Sequence, residues 1–442
     1  FLALTTLTDM QNTLQYIKEN YGVDIDFHEI GYDVPEAYQL ISSGDTDAVF
    51  QLEQGGMKKF MKDLQPNCLE DLIAGISLYR PGPMDFIPKY IQNKHHPEGI
   101  MYDTPYLEPI LKNSYGVIVY QEQVMQIFQH LAGYSLGQAD LVRRAMAKKH
   151  LDELMAQKDK FIYGDIDKGG NITGCVSKGI PAEVAAKIFA DMESFASYAF
   201  NKSHAAAYAV VAYRTAYLKY FYPKEFLAGI LNDRLDKIEE VSKYIAYMKE
   251  RGIAVLQPDI NRSKAIFAVE GKGLRIGLGA LRGIGIEAIE SVIQERNEHG
   301  EFADFADFNV RCAKYINKRI VESLIYAGAF DCFGYPRSVF IAVFEEVLAR
   351  VTAMEKQKSG DQISLFGNII EEEKVVIDYP VIPEYDQAEK LSLEKSVLGV
   401  YVSGHPFEKY APYFRDRTFN CSMLQYEEDE ETGEKKYTEI ES

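Results

Sequence analysis

The chain has 442 residues, of which 47% are hydrophobic and 26% charged, and its net charge is −18. That composition excludes a disordered or fibrous chain, and the length exceeds what one hydrophobic core serves, so about three domains are expected. Five scattered cysteines (Cys68, Cys175, Cys312, Cys332 and Cys421) contain no CxxC pair, which argues against a zinc knuckle or disulfide framework and fits a reducing cytoplasm.

The opening segment, FLALTTLTDM, lacks the basic flank and small-residue cleavage site of a signal peptide. It does not begin with Met, as expected of a cut or processed product. Residues 35–260 carry mostly helical patterns, interrupted by loops such as YRPGPM (79–84). RRAMAKKH (143–150) is a basic run without an acid, whereas 371–373 and 427–434 are strongly acidic. Net charge argues against a nucleic-acid partner, but a phosphate responds to the local field, so charge leaves the question open. Residues 165–174, polar and glycine-rich, read as a flexible insertion. From Ser203, a predicted N-cap, a helix runs to Pro223. Its apolar stretch, Ala205 to Tyr222, is interrupted by Arg214 and Lys219, so no membrane span is expected. Beyond 260 a glycine-rich hairpin leads into an amphipathic helix with Ile286, Ile289 and Ile293 on one face. Residues 316–334 form another helix closed by a glycine turn. Residues 355–386 break periodicity and read as a linker, and a last ordered segment begins near Lys390.

Carboxylates at DxD spacing (Asp24/Asp26, Asp45/Asp47, Asp165/Asp167) match the residue type that holds paired metal ions in nucleotidyl transfer. Spacing alone is a weak motif, however, and surface acids are the expected reading; no metal site is assigned. Arg143 and Arg144 open the basic run. On a helix Arg144 and Lys148 share a face, and guanidinium groups give a polyphosphate bidentate donors. The competing reading is a solvated helix in which Asp140 pairs with Arg144. Lys202 and His204 sit at a predicted helix start, where cations oppose the dipole unless an anion lies between them. Two exposed side chains tolerated at small cost are the alternative. The glycines of 277–285 fall as GxGxxxG, which is not the dinucleotide-binding pattern. Gly283 and Gly285 instead suit a hairpin whose amides form an anion nest blind to base identity, or a tight turn packing two helices.

Nine segments then fall into one order. They are AVFQLEQGGM (48–57), YRPGPM (79–84), YGVIVYQEQVM (115–125), GYSLGQADLVRRAMAKK (133–149), FASYAFNKSHAAAYAVVAYRTAYLK (195–219), QPDIN (257–261), IGLGALRGIG (276–285), LIYAGAFD (324–331) and LGVYVSGHP (398–406). In order and spacing they resemble the C-family replicative polymerases, the alpha subunits of bacterial DNA polymerase III, over nearly the whole chain. The resemblance implies a mainly α, multidomain fold. Residues 1–30 would be the edge of a palm, with 1–8 as a strand; 31–262 a helical fingers domain; 263–345 a tandem helix-hairpin-helix, clamp-binding domain. Residues 346–388 would be a linker with a clamp-binding motif, and 389–442 the lead-in to an OB-fold.

The same resemblance implies a template-directed DNA polymerase whose catalytic aspartates and Mg2+ lie upstream, so that this chain alone is inactive. Arg143, Arg144 and Lys148 would grip the incoming nucleotide, with Arg80, Lys202 and His204 as further phosphate contacts. Arg282, Gly283 and Gly285 would touch DNA. Gln362-Ile363-Ser364-Leu365-Phe366 resembles the sliding-clamp-binding motif, with Leu365 and Phe366 as apolar anchors that bury nothing locally and Gln362 beside them. Implied partners are primer–template DNA, deoxynucleoside triphosphates, the sliding clamp (beta subunit) and other replisome subunits in the bacterial cytoplasm, with no membrane. Rival readings are a non-catalytic DNA-binding module and a nucleotidyl transferase using its own carboxylates.

Overall fold

Alanine recurs at 205, 209, 212 and 216 along the helix Lys202–Phe221, and all four are buried, so neighbouring helices approach its axis closely. A computed structural model describes residues 4–148, 151–196, 200–359, 377–410, 426–428 and 435–437. Helix accounts for 64% of it, which makes the fold mainly α as expected. Contacts divide the chain into two units, Phe1–Asp233 and Arg234–Ser442.

In the first unit the helices Leu69–Leu78 and Pro35–Ser43 pack on Lys202–Phe221. Their core gathers Tyr38, Ile41, Phe60, Leu72, Ile76 and Tyr213. Asp71 is fully buried there and fully matched. Its carboxylate pairs with Lys94 at 2.9 Å and accepts from the Tyr115 hydroxyl and the Asn67 amide, without which a buried charge would be strongly destabilising. A second core centres on Phe128, Phe161 and Phe189, from the helices Gln121–Ala132, Leu151–Tyr163 and Ala182–Ala196.

Several local expectations are corrected. Residues 5–8, expected as strand, begin the helix Thr5–Tyr21, which buries Met10, Thr13 and Ile17 at helical spacing against Pro223–Asn232. Gly229 permits that contact, because a Cβ there would lie 2.6 Å from the Thr13 hydroxyl. Residues 165–174 are no loose insertion. Ile172 is buried in the second core, and Asp165 fixes the loop by accepting from the Ile172 amide at 2.8 Å. Of the DxD acids, Asp24, Asp26 and Asp167 are exposed as surface acids, Asp24 pairing with Lys18 and Asp26 capping a short helix, while the half-buried Asp47 and Asp165 pair with Lys58 and Lys160.

Lys219 is a buried, closely held cation of this unit. It is 4% exposed, donates to the backbone carbonyls of Asp45 and Asp47 at 2.8 Å each, and pairs with the Asp45 carboxylate at 3.1 Å. These contacts hold a loop in which two non-glycine residues, Ala48 and Gln51, have φ of 63°, a conformation such residues adopt only when surroundings impose it.

The second unit opens with the helix Ile238–Glu250, which a small sheet follows. Ala254–Leu256 runs parallel to the central strand Gly273–Arg275, and Ala268–Glu270 runs antiparallel to it on the other side. Five helices follow: Ile286–His299, Phe305–Cys312, Lys318–Ala327, Arg337–Ser359 and Gln387–Leu398. Phe302, Phe305, Phe308, Phe330 and Phe340 form their shared core. On Ile286–His299 the buried residues are Ile289 and Val292, while Ile286 is 39% exposed with its Cδ1 lying beside Gly279. Helix continues to Ser359, and 377–386 is docked rather than linker-like. Tyr379 stacks on Tyr335 at 4.1 Å, and Glu384 accepts from the Arg337 and Ser338 amides at the start of Arg337–Ser359. Arg337 itself is buried, its guanidinium forked onto both oxygens of Asp331 at 2.9 and 2.7 Å. Tyr426–Glu428 pairs antiparallel with Lys435–Tyr437. No helix among the described residues is long and apolar enough to cross a membrane.

Burial pushes the Lys219 amine from its ordinary 10.5 down to about 8. Between those values the unfolded chain holds more protons than the folded one, so this group makes stability rise with pH across that window. Lys219→Met, neutral throughout, removes that rise. Urea unfolding of both proteins at pH about 7.5 and about 10 should show the parent's stability advantage growing with pH; a constant difference would refute the assignment.

Candidate nucleotide and nucleic-acid interface

The helix Leu136–Lys148 starts with a reciprocal cap. Ser135 Oγ accepts from the Gln138 amide at 3.3 Å and Gln138 Oε1 accepts from the Ser135 amide at 2.9 Å. One turn later stands Asp140, which both arginines grip. Arg143 donates from Nε and Nη2 to Asp140 Oδ1 at 3.1 and 2.8 Å, and from Nη1 to Gln121 Oε1 at 3.0 Å. Arg144 Nε meets Asp140 Oδ2 at 2.8 Å. The Arg143 hydrogen bonds, and then both guanidinium charges, hold the Asp140 carboxyl below its ordinary range. Arg143 is therefore oriented and largely covered, whereas the Arg144 side chain is 65% exposed. The Asp140–Arg144 pair of the solvated-helix reading does form. Lys148 ends this helix, and its side chain lies outside the described residues.

Gln121 belongs to a segment that also organises the next cations. Tyr120 and Phe200 form an isolated parallel bridge, in which the Gln121 amide donates to the Phe200 carbonyl at 3.0 Å and the Phe200 amide to the Val119 carbonyl at 3.4 Å. Buried Gln123 locks the segment by accepting from the Val119 and Tyr120 amides at 2.8 and 3.0 Å. On one side of the bridge the Arg80 guanidinium lies 3.7 Å from the centre of the Phe200 ring. On the other, Lys202 Nζ lies 5.2 Å from the centre of the Tyr120 ring. His204 stands between Phe200 and Tyr208, with ring centres 5.4 and 4.4 Å away. Tyr208 in turn meets Phe50 of the Lys219-held loop at 5.0 Å. Arg80, Arg143, Arg144, Lys202 and His204 are thus joined through one strand-like contact.

The helix start differs from the expectation. Its N-cap is Asn201, not Ser203: Asn201 Oδ1 accepts from the His204 amide at 2.9 Å. A carboxylate already stands at this helix start, since Glu122 accepts from the Lys202 backbone amide with both oxygens, at 3.1 and 3.2 Å. Glu122, Gln121, Tyr120 and Phe200 were not singled out in the sequence. Their segments match the resemblance, but no spacing rule pairs 120 with 200.

In the second unit Gly283 has φ of 78°, and a Cβ there would lie 2.6 Å from the Arg319 guanidinium; Gly285 faces open space at φ of −77°. The Arg282 amide is engaged by the Val397 carbonyl at 2.8 Å and the Ile284 amide by that of Leu281 at 3.3 Å. An anion at this turn is left the Gly283 and Gly285 amides. Gln362, Leu365 and Phe366 lie outside the described residues.

A profile of the bacterial DNA polymerase III alpha subunit finger domain matches residues 6–169, and one of the helix-hairpin-helix motif matches 252–340. The DNA polymerase III subunit alpha of Thermus aquaticus is 41% identical over 416 residues, 93% of this chain and 33% of its own length. That of Aquifex aeolicus is 41% identical over 424 residues (94% and 34%), and that of Chlamydia pneumoniae 40% over 411 (92% and 32%). The chain belongs to the family of the bacterial DNA polymerase III alpha subunit. It spans about a third of the length of the curated relatives it matches. The finger match contains Arg80, Tyr120, Arg143 and Arg144, and the hairpin match contains Arg282, Gly283 and Gly285.

Removing the Glu122 carboxylate strips a charged acceptor from a helix N-terminus. Glu122→Ala and Asn201→Ala should each cost about 1 kcal/mol. Chemical denaturation measures this, and two variants as stable as the parent would show that these contacts do not secure the helix start.

Proposed function

We propose that the chain is the nucleotide-gripping and DNA-holding portion of a template-directed DNA polymerase. The supporting observation is the bridged cluster. Arg143 is preoriented between Asp140 and Gln121, with Arg144, Arg80, Lys202 and His204 around the same contact, in a chain of net charge −18. Fixed guanidinium forks suit the oxygens of a deoxynucleoside triphosphate, and holding that tail positions it for in-line attack by a primer end.

Transfer itself relies on two divalent ions, Mg2+ in this reading, held by carboxylates. Among the described residues no group of three or more His, Cys, Asp and Glu is placed to hold a metal ion. On the family resemblance, the catalytic aspartates are assigned to the part of the relatives' length that this chain does not span, and no metal-borne step is given to these residues. Residues 31–262 are then fingers with Lys148 on the nucleotide-facing helix, 263–345 the hairpin domain that meets primer–template DNA, and 389–442 the approach to an OB-fold. Gln362, Leu365 and Phe366 attach the sliding clamp within a cytoplasmic replisome.

In a polypeptide spanning the relatives' full length, Arg143→Ala or Arg144→Ala should lower kcat/KM for the incoming nucleotide in Mg2+-dependent primer extension. Loss of a charge-assisted contact costs on the order of 1.5–3 kcal/mol, roughly ten- to a hundredfold. Unchanged kinetics in both would reduce the cluster to a solvated face. DNA binding without any nucleotide dependence would favour the non-catalytic module.

A contact made by a few apolar anchors has modest affinity, about micromolar or about −8 kcal/mol. The double change Leu365→Ala plus Phe366→Ala should abolish clamp binding in a pull-down or calorimetric titration while leaving the melting temperature unchanged. Earlier melting would place the pair in the protein's own core, and retained binding would place the contact elsewhere.

A further inference from the structure

One face of the helix Lys202–Phe221 carries His204, Tyr208, Thr215 and Lys219, a stripe about 22 Å long at the helical rise. Three of the four hold the loop 45–52. Lys219 donates to the carbonyls of Asp45 and Asp47, Thr215 Oγ1 accepts from the Phe50 amide at 3.2 Å, and the Tyr208 ring meets the Phe50 ring at 5.0 Å. Tyr208 then reaches the fourth, His204, with ring centres 4.4 Å apart. The loop is thus fastened to the helix at three heights, and the last of them leads to the cation cluster.

Filling space at position 219 would not require a lysine. Val49 and Leu52 already bury the apolar side of the loop in the first core, and a cation costs free energy to bury. What Lys219 adds is direction. It grips the main chain of the two residues that lead into Ala48, and Ala48 and Gln51 are the loop positions with φ of 63°. Phe50 lies between those two left-handed residues, so the backbone path through 48 and 51 decides where its ring points. With Thr215 holding the Phe50 amide, that ring is delivered to Tyr208.

We propose that Lys219 is a positioning residue for nucleotide use: by fixing the loop 45–52 it holds Phe50 behind Tyr208 and so sets the His204 ring at the other end of the helix. The inference rests on the reading of His204 as a phosphate contact and extends it to Lys219, Phe50 and Tyr208, which touch no ligand. These residues narrow the positions that His204 samples before the nucleotide arrives. Nucleotide affinity then depends on them, whereas the chemical step does not.

The test is NMR of the whole chain labelled at the histidine Cε1, with the His204 resonance assigned through His204→Gln. Lys219→Met and Phe50→Leu should each shift or broaden that resonance, because the Tyr208 ring beside it moves, while His130 and His299 stay unchanged. Adding Ala48→Gly to Lys219→Met should restore it, since glycine adopts a φ of 63° without strain. Lys58→Met, which removes only the side-chain partner of Asp47, should leave it in place. In a polypeptide spanning the relatives' full length, Lys219→Met and Phe50→Leu should raise KM for the nucleotide by about three- to tenfold with kcat within about twofold. Urea transitions confirm that each variant is folded under the assay conditions, and Phe50→Leu, which keeps the buried cation, carries the test if Lys219→Met does not fold. If the His204 resonance stays in place in folded Phe50→Leu, this inference fails and the nucleotide reading stands. If the resonance moves but neither these variants nor His204→Ala changes KM, the phosphate reading of His204 fails and the positioning role with it.

Discussion

Two backbone hydrogen bonds, joining Val119 and Gln121 to Phe200, decide where the charges of the first unit stand. The pairing brings together stretches eighty residues apart in sequence. It places the Phe200 ring under Arg80, the Tyr120 ring under Lys202, the Glu122 carboxylate at the start of a twenty-residue helix, and the Gln121 amide oxygen against Arg143. A flexible arginine loses side-chain freedom when it binds an anion. Here much of that freedom is already lost in the free protein, since Arg143 is held from two directions.

Rigidity at the bridge is inherited from buried ions deeper in the fold. The Asp71–Lys94 pair fixes the helix Leu69–Leu78, whose end carries Arg80. Lys219 ties the 45–52 loop to the far end of the helix that begins at Lys202, and through Phe50 and Tyr208 that loop supports His204. In the second unit, Arg337 with Asp331, and Glu384 at the adjoining helix start, fasten residues 377–386 to the hairpin fold. Each ion is matched by several hydrogen bonds, which is the condition under which burial of charge is tolerated.

Much of this was legible in the sequence because it is local. The helical patterns of residues 35–260 and the family resemblance together pointed to a mainly helical class, and Ala205 to Tyr222 read correctly as one helix ended by Pro223. Arg143 and Arg144 stood out as a basic run. The misses are of two kinds. Local competition misled at Ser203, where Asn201 caps instead, since either residue can accept an amide hydrogen and only the backbone path decides. Non-local pairing was invisible: nothing near Gln121 indicates Arg143, and nothing near Glu122 indicates the Lys202 amide. The loop 165–174 looked loose because its composition is polar, yet one apolar residue, Ile172, is enough to dock it.

Asp140 makes the two arginines a guarded site rather than a bare one. Any ligand of Arg144 must displace or share a carboxylate already 2.8 Å away. An exposed pair of this kind is worth at most about 1 kcal/mol, so a polyphosphate with several negative charges displaces it readily, while a singly charged ion gains little by the exchange. The resident acid thereby sets the contact that any anion drawn to Arg144 must first outcompete.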